Sequence, residues 1–207
     1  MTAIPSFTMN NGRTIPALGY GVFLMTSDQV REHLPQALKL GYRHIDTANV
    51  YFNEVAVGEV VRDAIAAGEL AREDLFITTK LFPQSYPYAQ AVEDIDATLA
   101  RLGLDYVDLL LFHQPYGEYV SGWKAMEEAV AAGRVRSIGL SNFPIAKFQE
   151  ILDVAEIIPA VHQVEAHPRW NQHELKARMS EATGTEVLVE AWYPRGHGDK
   201  TLLEEPA

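Results

Sequence analysis

The sequence predicts an α/β fold of alternating strands and helices, on three observations. Short runs rich in β-branched and aromatic residues recur at regular intervals along the chain. Between them lie segments whose apolar residues repeat every three or four positions, which is helical spacing. No Pro-rich or Ser-rich linker interrupts the series over 207 residues. We therefore expect one domain over 1–207, with parallel strands joined by right-handed crossovers.

The first predicted element is a β-hairpin at 7–15, because Asn11-Gly12 separates two short extended runs. That dipeptide favours a two-residue turn with positive φ at both positions. A short strand is predicted at 16–23. Ser27 is then expected to cap a helix that ends before Gly41.

The remaining elements follow from the same two periodicities. Helical stripes such as Val57, Val60, Val61 and Ala64 alternate with apolar runs such as VDLLLF. Further strands are predicted at 42–46, 75–80, 106–112, 135–140, 160–165 and 186–192. Further helices are predicted at 53–67, 88–101, 118–132, 144–155 and 171–182.

Six strand–helix units followed by a seventh strand favour a (β/α)8 TIM barrel with an N-terminal β-hairpin. A doubly wound sheet is the competing architecture, but it usually carries a glycine-rich phosphate loop after its first strand. The only candidate, GYG at 19–21, lacks the third glycine and no helix follows it directly. The eighth strand and the last helices of such a barrel are not in this sequence.

Composition excludes several classes of function. The net charge of −11 opposes binding to a nucleic-acid backbone, and the absence of cysteine excludes disulfides and thiolate chemistry. The N-terminus has no basic leader before an apolar core, and no apolar run reaches the length of a membrane span. We expect a cytoplasmic protein with no nucleic-acid or membrane partner.

Four ionisable side chains are predicted to meet where neighbouring strands end. Asp46 ends one strand, Tyr51 lies in the loop after it, Lys80 ends the next strand and His113 follows the one after that. Active sites of these barrels lie at the carboxyl ends of the strands. We expect Asp46 to pair with Lys80, within reach of Tyr51.

This set of residue types suits proton donation to a carbonyl oxygen. The aspartate keeps the lysine charged, and the lysine is expected to lower the pKa of Tyr51 from about 10 toward neutral pH. The histidine can orient the carbonyl by a hydrogen bond. Neither a metal nor a covalent nucleophile is required, and a nicotinamide cofactor is the simple source of hydride.

Two other readings of the same residues stay open. Lys80 at a strand end is also a candidate nucleophile for a Schiff-base lyase. The chain is alternatively a catalytically weak module that binds a nicotinamide cofactor without turnover. Histidines such as His44 suggest a metal-dependent hydrolase only weakly, because no HxH or HxxxH pair ends a strand; no metal is expected.

Five motifs, in this order, resemble the aldo-keto reductases, and most closely the bacterial branch similar to 2,5-diketo-gluconate reductase. They are GYRHIDTANVYFNE, ITTKLF, VDLLLFHQP, GRVRSIGLSNF and PAVHQVEAHPRWNQHEL. The resemblance implies NADPH-dependent reduction of aldehydes, ketones or keto-sugars, with Tyr51 as proton donor, Asp46 and Lys80 as its partners and His113 as substrate orienter.

The resemblance also implies which residues bind the cofactor. Ser141, Asn142 and Gln163 would hold the nicotinamide carboxamide, and Trp192 would stack on the nicotinamide ring. The segment 193–198 would bind the pyrophosphate, through Tyr193, Arg195, Gly196 and His197. Leucine is usual in the family where Arg195 stands, so this arginine either contacts the pyrophosphate or is solvated.

The family continues beyond the point where this chain stops, with a basic turn that binds the adenosine 2′-phosphate. The resemblance therefore implies a C-terminally truncated chain. A monomer is expected for the full-length family. For this chain alone, self-association through an open sheet edge and weak NADPH binding are expected.

Overall fold

A computed structural model of the chain describes residues 4–196, which form a hairpin and a curled parallel sheet covered by helices. The strands are β1 (Ser6–Thr8), β2 (Thr14–Pro16), β3 (Gly19–Gly21), β4 (His44–Asp46), β5 (Phe76–Leu81), β6 (Val107–Phe112), β7 (Val135–Ser141), β8 (Val161–Glu165) and β9 (Leu188–Trp192). The helices are α1 (Ser27–Lys39), α2 (Glu54–Ala66), α3 (Tyr88–Leu102), α4 (Tyr119–Ala131), α5 (Ile145–Leu152) and α6 (His173–Thr183).

The seven strands from β3 to β9 pair in chain order, and every pair is parallel. The sheet is curled, as shown by side chains of β4 that lie close to those of β8 and β9 across its concave face. Gln163 Nε2 donates to Asp46 Oδ2 at 2.8 Å, and His44 Nε2 lies 3.7 Å from Glu190 Oε1. This is the wall of a (β/α)8 barrel, and the predicted fold is confirmed.

The hairpin β1–β2 closes the end of the barrel where the strands begin. Met9 and Ile15 are buried against β5, β6 and β8, and Asn11 Nδ2 donates to Ser137 Oγ at 2.9 Å. The predicted two-residue turn is wrong. Only Gly12, with φ of 80°, has positive φ in the turn, and Gly12 N–H donates to the Met9 carbonyl. The loop is thus a longer one ended by a left-handed glycine.

The start of α1 also differs from the prediction. Thr26, not Ser27, is the N-cap, because its hydroxyl accepts from Gln29 N–H while the Gln29 side chain accepts from Thr26 N–H. This reciprocal pair is a capping box. The strand predicted at 16–23 is shorter in the structure, where β3 has only three residues and two of them are glycine.

The main apolar core lies between the helices and the convex face of the sheet. It centres on large side chains without solvent exposure, among them Trp123, Phe112 and Phe148. A smaller apolar cluster fills the lower barrel interior under the hairpin. Buried polar side chains such as Lys80 and Gln163 lie at the other end of the barrel interior, toward the carboxyl ends of the strands. Along residues 4–196 no helix combines the length and the apolar character needed to cross a membrane.

Candidate active site

Four side chains from β4 to β6 and their loops meet at the carboxyl rim of the barrel. Asp46 is the last residue of β4, Lys80 lies next to the end of β5, and His113 follows β6. Tyr51 ends a short 3₁₀ turn, Asn49–Tyr51, after β4. We call Asp46, Tyr51, Lys80 and His113 the tyrosine group. The structure brings all four together as the sequence predicts.

Lys80 is fully enclosed, with 1% of its surface exposed. Its ammonium donates to Asp46 Oδ1 at 2.5 Å and to the Thr47 carbonyl at 3.0 Å. Burial has the largest single effect on the pKa of Lys80 and lowers it, but Asp46, Tyr51 and Glu190 together outweigh burial, so the net pKa is raised. Lys80 is therefore a buried cation at neutral pH.

Tyr51 lies above this ion pair, with its ring centre 5.2 Å from Lys80 Nζ. Burial raises the pKa of Tyr51 above its ordinary value, and the charge of Lys80 only partly offsets this. The expectation of a net lowering is therefore wrong, because the cost of ionising a buried phenol exceeds the effect of the lysine. Tyr51 is a fully protonated donor at neutral pH.

His113 stands edge-on to Tyr51, with ring centres 5.6 Å apart, and edge-on to Phe82 at 5.5 Å. Burial and then the Lys80 charge lower the pKa of His113 to about 4, so the ring is neutral at pH 7. Its Nδ1 is buried and has no hydrogen-bond partner in the described part of the chain. A neutral imidazole has one N–H donor and one acceptor nitrogen.

The loop that carries Tyr51 is anchored by residues that the sequence analysis did not single out. Glu54, the first residue of α2, is buried and accepts from Thr79 Oγ1 and Arg101 Nε, each at 2.6 Å. Asn53 is also buried and donates to the carbonyl of Val22 at 2.9 Å. An amide and a carboxylate, two and three residues after a predicted site tyrosine, were the available signal.

A second set of side chains lies on the opposite side of the rim, from β7 to β9. We call Ser141, Asn142, Gln163 and Trp192 the amide group. The Asn142 side chain joins two of the others: its Nδ2 donates to Ser141 Oγ at 3.0 Å and its Oδ1 accepts from Trp192 Nε1 at 2.9 Å. Asn142 adopts a left-handed backbone conformation with φ of 64°, which asparagine tolerates well.

The amide group leaves one donor and one acceptor without protein partners among residues 4–196. The Ser141 hydroxyl accepts from Asn142 but donates to no described residue, and Gln163 Oε1 accepts from none. A primary carboxamide needs one donor for its oxygen and one acceptor for its nitrogen. The arrangement fits the carboxamide of a nicotinamide.

The predicted pyrophosphate segment is described only in part. Tyr193 lines the cavity described below, Arg195 is exposed, and Gly196 is half-buried with φ of 65°. His197 lies outside the described residues. His162, the neighbour of Gln163, faces the helices instead: its Nε2 accepts from Phe143 N–H at 3.1 Å.

A cavity of about 910 Å³ joins the two groups. Asp46, Tyr51 and His113 line one side of it, and Ser141, Asn142, Gln163 and Trp192 line the other. It continues down the barrel interior past His44 and Glu190. A cavity of this volume lies in the range of small-molecule binding sites.

Comparison with known proteins agrees with this geometry. Residues 17–199 match the model of the aldo/keto reductase family. An aldo-keto reductase of Mycobacterium tuberculosis is 42% identical over 207 residues, which is 99% of this chain and 70% of that protein. The chain belongs to the aldo/keto reductase family. Its class is therefore that of an oxidoreductase, and the resemblance inferred from the five motifs is confirmed.

Other family members align over similar lengths. Morphine 6-dehydrogenase of Pseudomonas putida is 40% identical over 93% of this chain and 64% of its own. The crystal structure of an aldo/keto reductase from Brucella melitensis superposes with a TM-score of 0.89 at 38% identity, covering 100% of this chain and 76% of that one. A Bombyx mori aldo-keto reductase in complex with NADP gives 0.85 at 34% identity, covering 93% and 67%.

Proposed function

We propose that this chain carries the site of an NADPH-dependent reductase of aldehydes and ketones, with Tyr51 as the proton donor. The observation that carries the proposal is the position of Tyr51, a protonated phenol 5.2 Å above the buried Lys80 ammonium and open to the cavity. Aldo-keto reductases of this fold are known in complex with NADP and NADPH.

The cofactor would supply hydride to the carbonyl carbon when it is bound. Ser141 O–H and Gln163 Oε1 would hold its carboxamide, and Trp192 would cover one face of its ring. These are the unpartnered donor and acceptor of the amide group, so the fit needs no rearrangement of their existing hydrogen bonds.

The tyrosine group would supply the proton and orient the substrate. His113, neutral at pH 7, would donate its N–H to the carbonyl oxygen. Tyr51 O–H would donate to the same oxygen, and its proton would transfer as alkoxide charge develops. The phenolate left behind would lie beside the Lys80 ammonium, whose charge Asp46 maintains at 2.5 Å. General acid catalysis of this kind contributes roughly 10²–10⁴-fold.

The site favours this reaction over Schiff-base chemistry at Lys80. A lysine nucleophile must be neutral and reachable, and such lysines have lowered pKa values. Here the pKa of Lys80 is raised, because Asp46 and the other neighbouring acidic groups together outweigh the lowering by burial, and the side chain is 1% exposed. Two hydrogen bonds hold its ammonium away from the cavity.

The test is a reductase assay with a panel of aldehydes, ketones and keto-sugars, which follows the loss of NADPH absorbance. Aromatic aldehydes belong in the panel because Phe23 packs against Tyr51 with ring centres 5.0 Å apart at the mouth of the cavity. The proposal predicts carbonyl-dependent NADPH oxidation with formation of the alcohol. Tight NADPH binding without turnover on any carbonyl would indicate a binding module, and borohydride trapping of substrate on Lys80 would indicate the lyase.

A further inference from the structure

Tyr51 ends a short turn that is strained at its edge. The turn is closed by two backbone bonds, from Tyr51 N–H to the Ala48 carbonyl at 3.0 Å and from Phe52 N–H to the Asn49 carbonyl at 3.3 Å, and no side chain caps it. Phe52 has a left-handed φ of 56° although its side chain is 86% exposed. A bulky residue in that conformation persists where surrounding contacts hold it. Bonds to other elements are therefore needed to fix the position of Tyr51.

Two side chains of α3 bond to the two ends of the segment that carries Tyr51. At its start, Asn49 Nδ2 donates to Asp94 Oδ2 at 2.5 Å. At its end, Glu54 Oε2 accepts from Arg101 Nε at 2.6 Å. Arg101 also donates through Nη2 to Asp94 Oδ1 at 3.3 Å, seven positions back along the helix. Seven positions are two helical turns, so Asp94 and Arg101 share one face of α3.

These contacts form one chain of bonds, from Asn49 through Asp94 and Arg101 to Glu54, with Tyr51 between its two ends. We propose that Asp94 and Arg101 are positioning residues for Tyr51: they tie both ends of its segment to α3 and so keep its hydroxyl at the cavity. This rests on the proposed function, in which Tyr51 donates the proton.

Helix α3 is a firm support for such a tie. Ile95, beside Asp94, and Leu102, beside Arg101, are both buried in the main apolar core. The Asn49 side chain depends on Asp94, because its Oδ1 is buried without a partner in the described part of the chain. Hydrogen bonds to an ionised group are stronger than neutral ones, which suits a bond that holds a strained turn.

The first test measures turnover number, KM for an aldehyde and the NADPH dissociation constant in matched variants. Asp94→Ala removes the acceptor for Asn49, so the turnover number should fall about tenfold or more, the value of one charge-assisted hydrogen bond, while the cofactor dissociation constant stays the same. Asp94→Asn keeps an acceptor oxygen and should keep most of the turnover. Asp96→Ala, also on α3, removes only the exposed pair to Arg134 and should change nothing. A wild-type turnover number in Asp94→Ala overturns the proposal.

The second test asks whether Asp94 acts through Tyr51. Asp94 is not among the described residues that line the cavity. In a Tyr51→Phe background there is no phenolic proton to position, so adding Asp94→Ala should cost no further activity. If Asp94→Ala lowers the turnover number by the same factor in both backgrounds, it acts by another route and the proposal is overturned.

The third test needs neither substrate nor cofactor, and so separates this proposal from the proposed function. Exchange of the Tyr51 and Phe52 amide hydrogens, which bond within the turn, is followed by NMR. Asp94→Ala should speed their exchange by roughly tenfold while amides of β5 keep their wild-type rates, and Asp96→Ala should change neither.

Unchanged exchange in the turn overturns the role of Asp94 even if the chain reduces carbonyls. Equally faster exchange throughout the chain also overturns it, because Asp94 would then contribute only to overall stability. Faster exchange confined to the turn, in a chain that reduces no carbonyl, supports the tie to α3 and contradicts the proposed function instead.

Discussion

On the side of the cavity that carries the tyrosine group, β5 has a paired strand along both edges and all six of its residues are buried. On the side that carries the amide group, β9 pairs only with β8 within the described residues, and its five residues are half-buried or exposed. The two sides also differ in the kind of bond that holds them. Lys80 and Glu54 make buried ion pairs, whereas Asn142 and Trp192 are joined by neutral hydrogen bonds.

The difference shows that folding of the described chain builds the two halves of the site to different degrees. The proton donor and its charged partners are set by the core, so changes there should cost stability and activity together. Within the amide group, Asn142 and Trp192 are set by a few side-chain contacts, so changes there should affect cofactor affinity with little effect on folding.

The largest effect is expected for Lys80→Met. It leaves Asp46 without its 2.5 Å ammonium partner in a buried place. Removing one partner of a buried ion pair typically costs about 3–5 kcal/mol, and the same variant should lose roughly 10²-fold or more of carbonyl reduction. Urea unfolding and the NADPH oxidation assay measure the two effects.

The double variant Asp46→Asn/Lys80→Met is the matched control. Because no lone charge remains, most of the lost stability should return, while activity should stay low. If the single variant Lys80→Met is as stable as wild type, the claim that the core holds the tyrosine group in place is contradicted.

A smaller effect is expected for Glu54→Gln, which removes the ion pair to Arg101 but keeps an acceptor for Thr79. We expect a loss of about 1–3 kcal/mol in unfolding free energy, since a charged, buried bond is weakened. The turnover number should fall because the Tyr51 loop loses an anchor, while the cofactor dissociation constant should not change.

Arg134→Ala serves as the comparison for Glu54→Gln, because Arg134 pairs with the exposed Asp96. An exposed ion pair contributes about 0–1 kcal/mol. Equal losses of unfolding free energy in the two variants would show that the buried Glu54–Arg101 pair contributes no more than an exposed ion pair.

The raised pKa of Glu190 predicts that the free energy of unfolding depends on pH. A glutamate that ionises near 4.5 in the unfolded chain has a pKa of about 8 in the folded protein, because of burial. The folded state therefore holds one more proton between these values, so this contribution is complete at low pH and is lost as pH rises toward 8. Relative to Glu190→Gln, wild type should lose ~1.4 kcal/mol per pH unit across that window.

Urea unfolding of the wild type and the Glu190→Gln variant at a series of pH values measures this difference. His113 is present in both proteins, so its titration cancels, and burial lowers the pKa of His44 to about 4, which is below this window. Parallel stability curves would mean that Glu190 ionises as it does in the unfolded chain.

The smallest effect is expected for Trp192→Phe, which removes the 2.9 Å bond to Asn142 Oδ1 but keeps an aromatic ring. One net hydrogen bond predicts a two- to tenfold weaker cofactor affinity, with unfolding free energy changed by only about 1 kcal/mol. Much of the quenching of tryptophan emission on cofactor titration should also disappear. Trp170→Phe, at an exposed position, is the control and should change neither.

The sequence predicts the barrel and the tyrosine group well because both follow from position along strands. Asp46 and Lys80 end neighbouring predicted strands, and parallel strands bring such residues to one rim. Predictions failed where the outcome depends on surroundings: Asn11 lacks the positive φ expected of it, and the pKa of Tyr51 is raised because the degree of burial is not visible in sequence.

Glu190 and the Glu54–Arg101 pair were missed for a related reason. Arg101 is 47 positions from Glu54 in the chain, so no local pattern joins them. Glu190 shares the face of Trp192, and strand periodicity alone could have placed it inside the barrel. That Glu190 lies beside Gln163 follows from the register of β8 and β9, which the sequence alone does not give.

The central claim is that Tyr51 donates the proton, and the comparison of wild type with Tyr51→Phe tests it most directly. The ring and its packing against Phe23 and His113 are kept, and only the hydroxyl is removed. Carbonyl reduction by NADPH should fall by roughly 10²–10⁴-fold. The cofactor dissociation constant and the urea midpoint should stay near their wild-type values. A Tyr51→Phe protein that keeps most of its turnover would contradict the account.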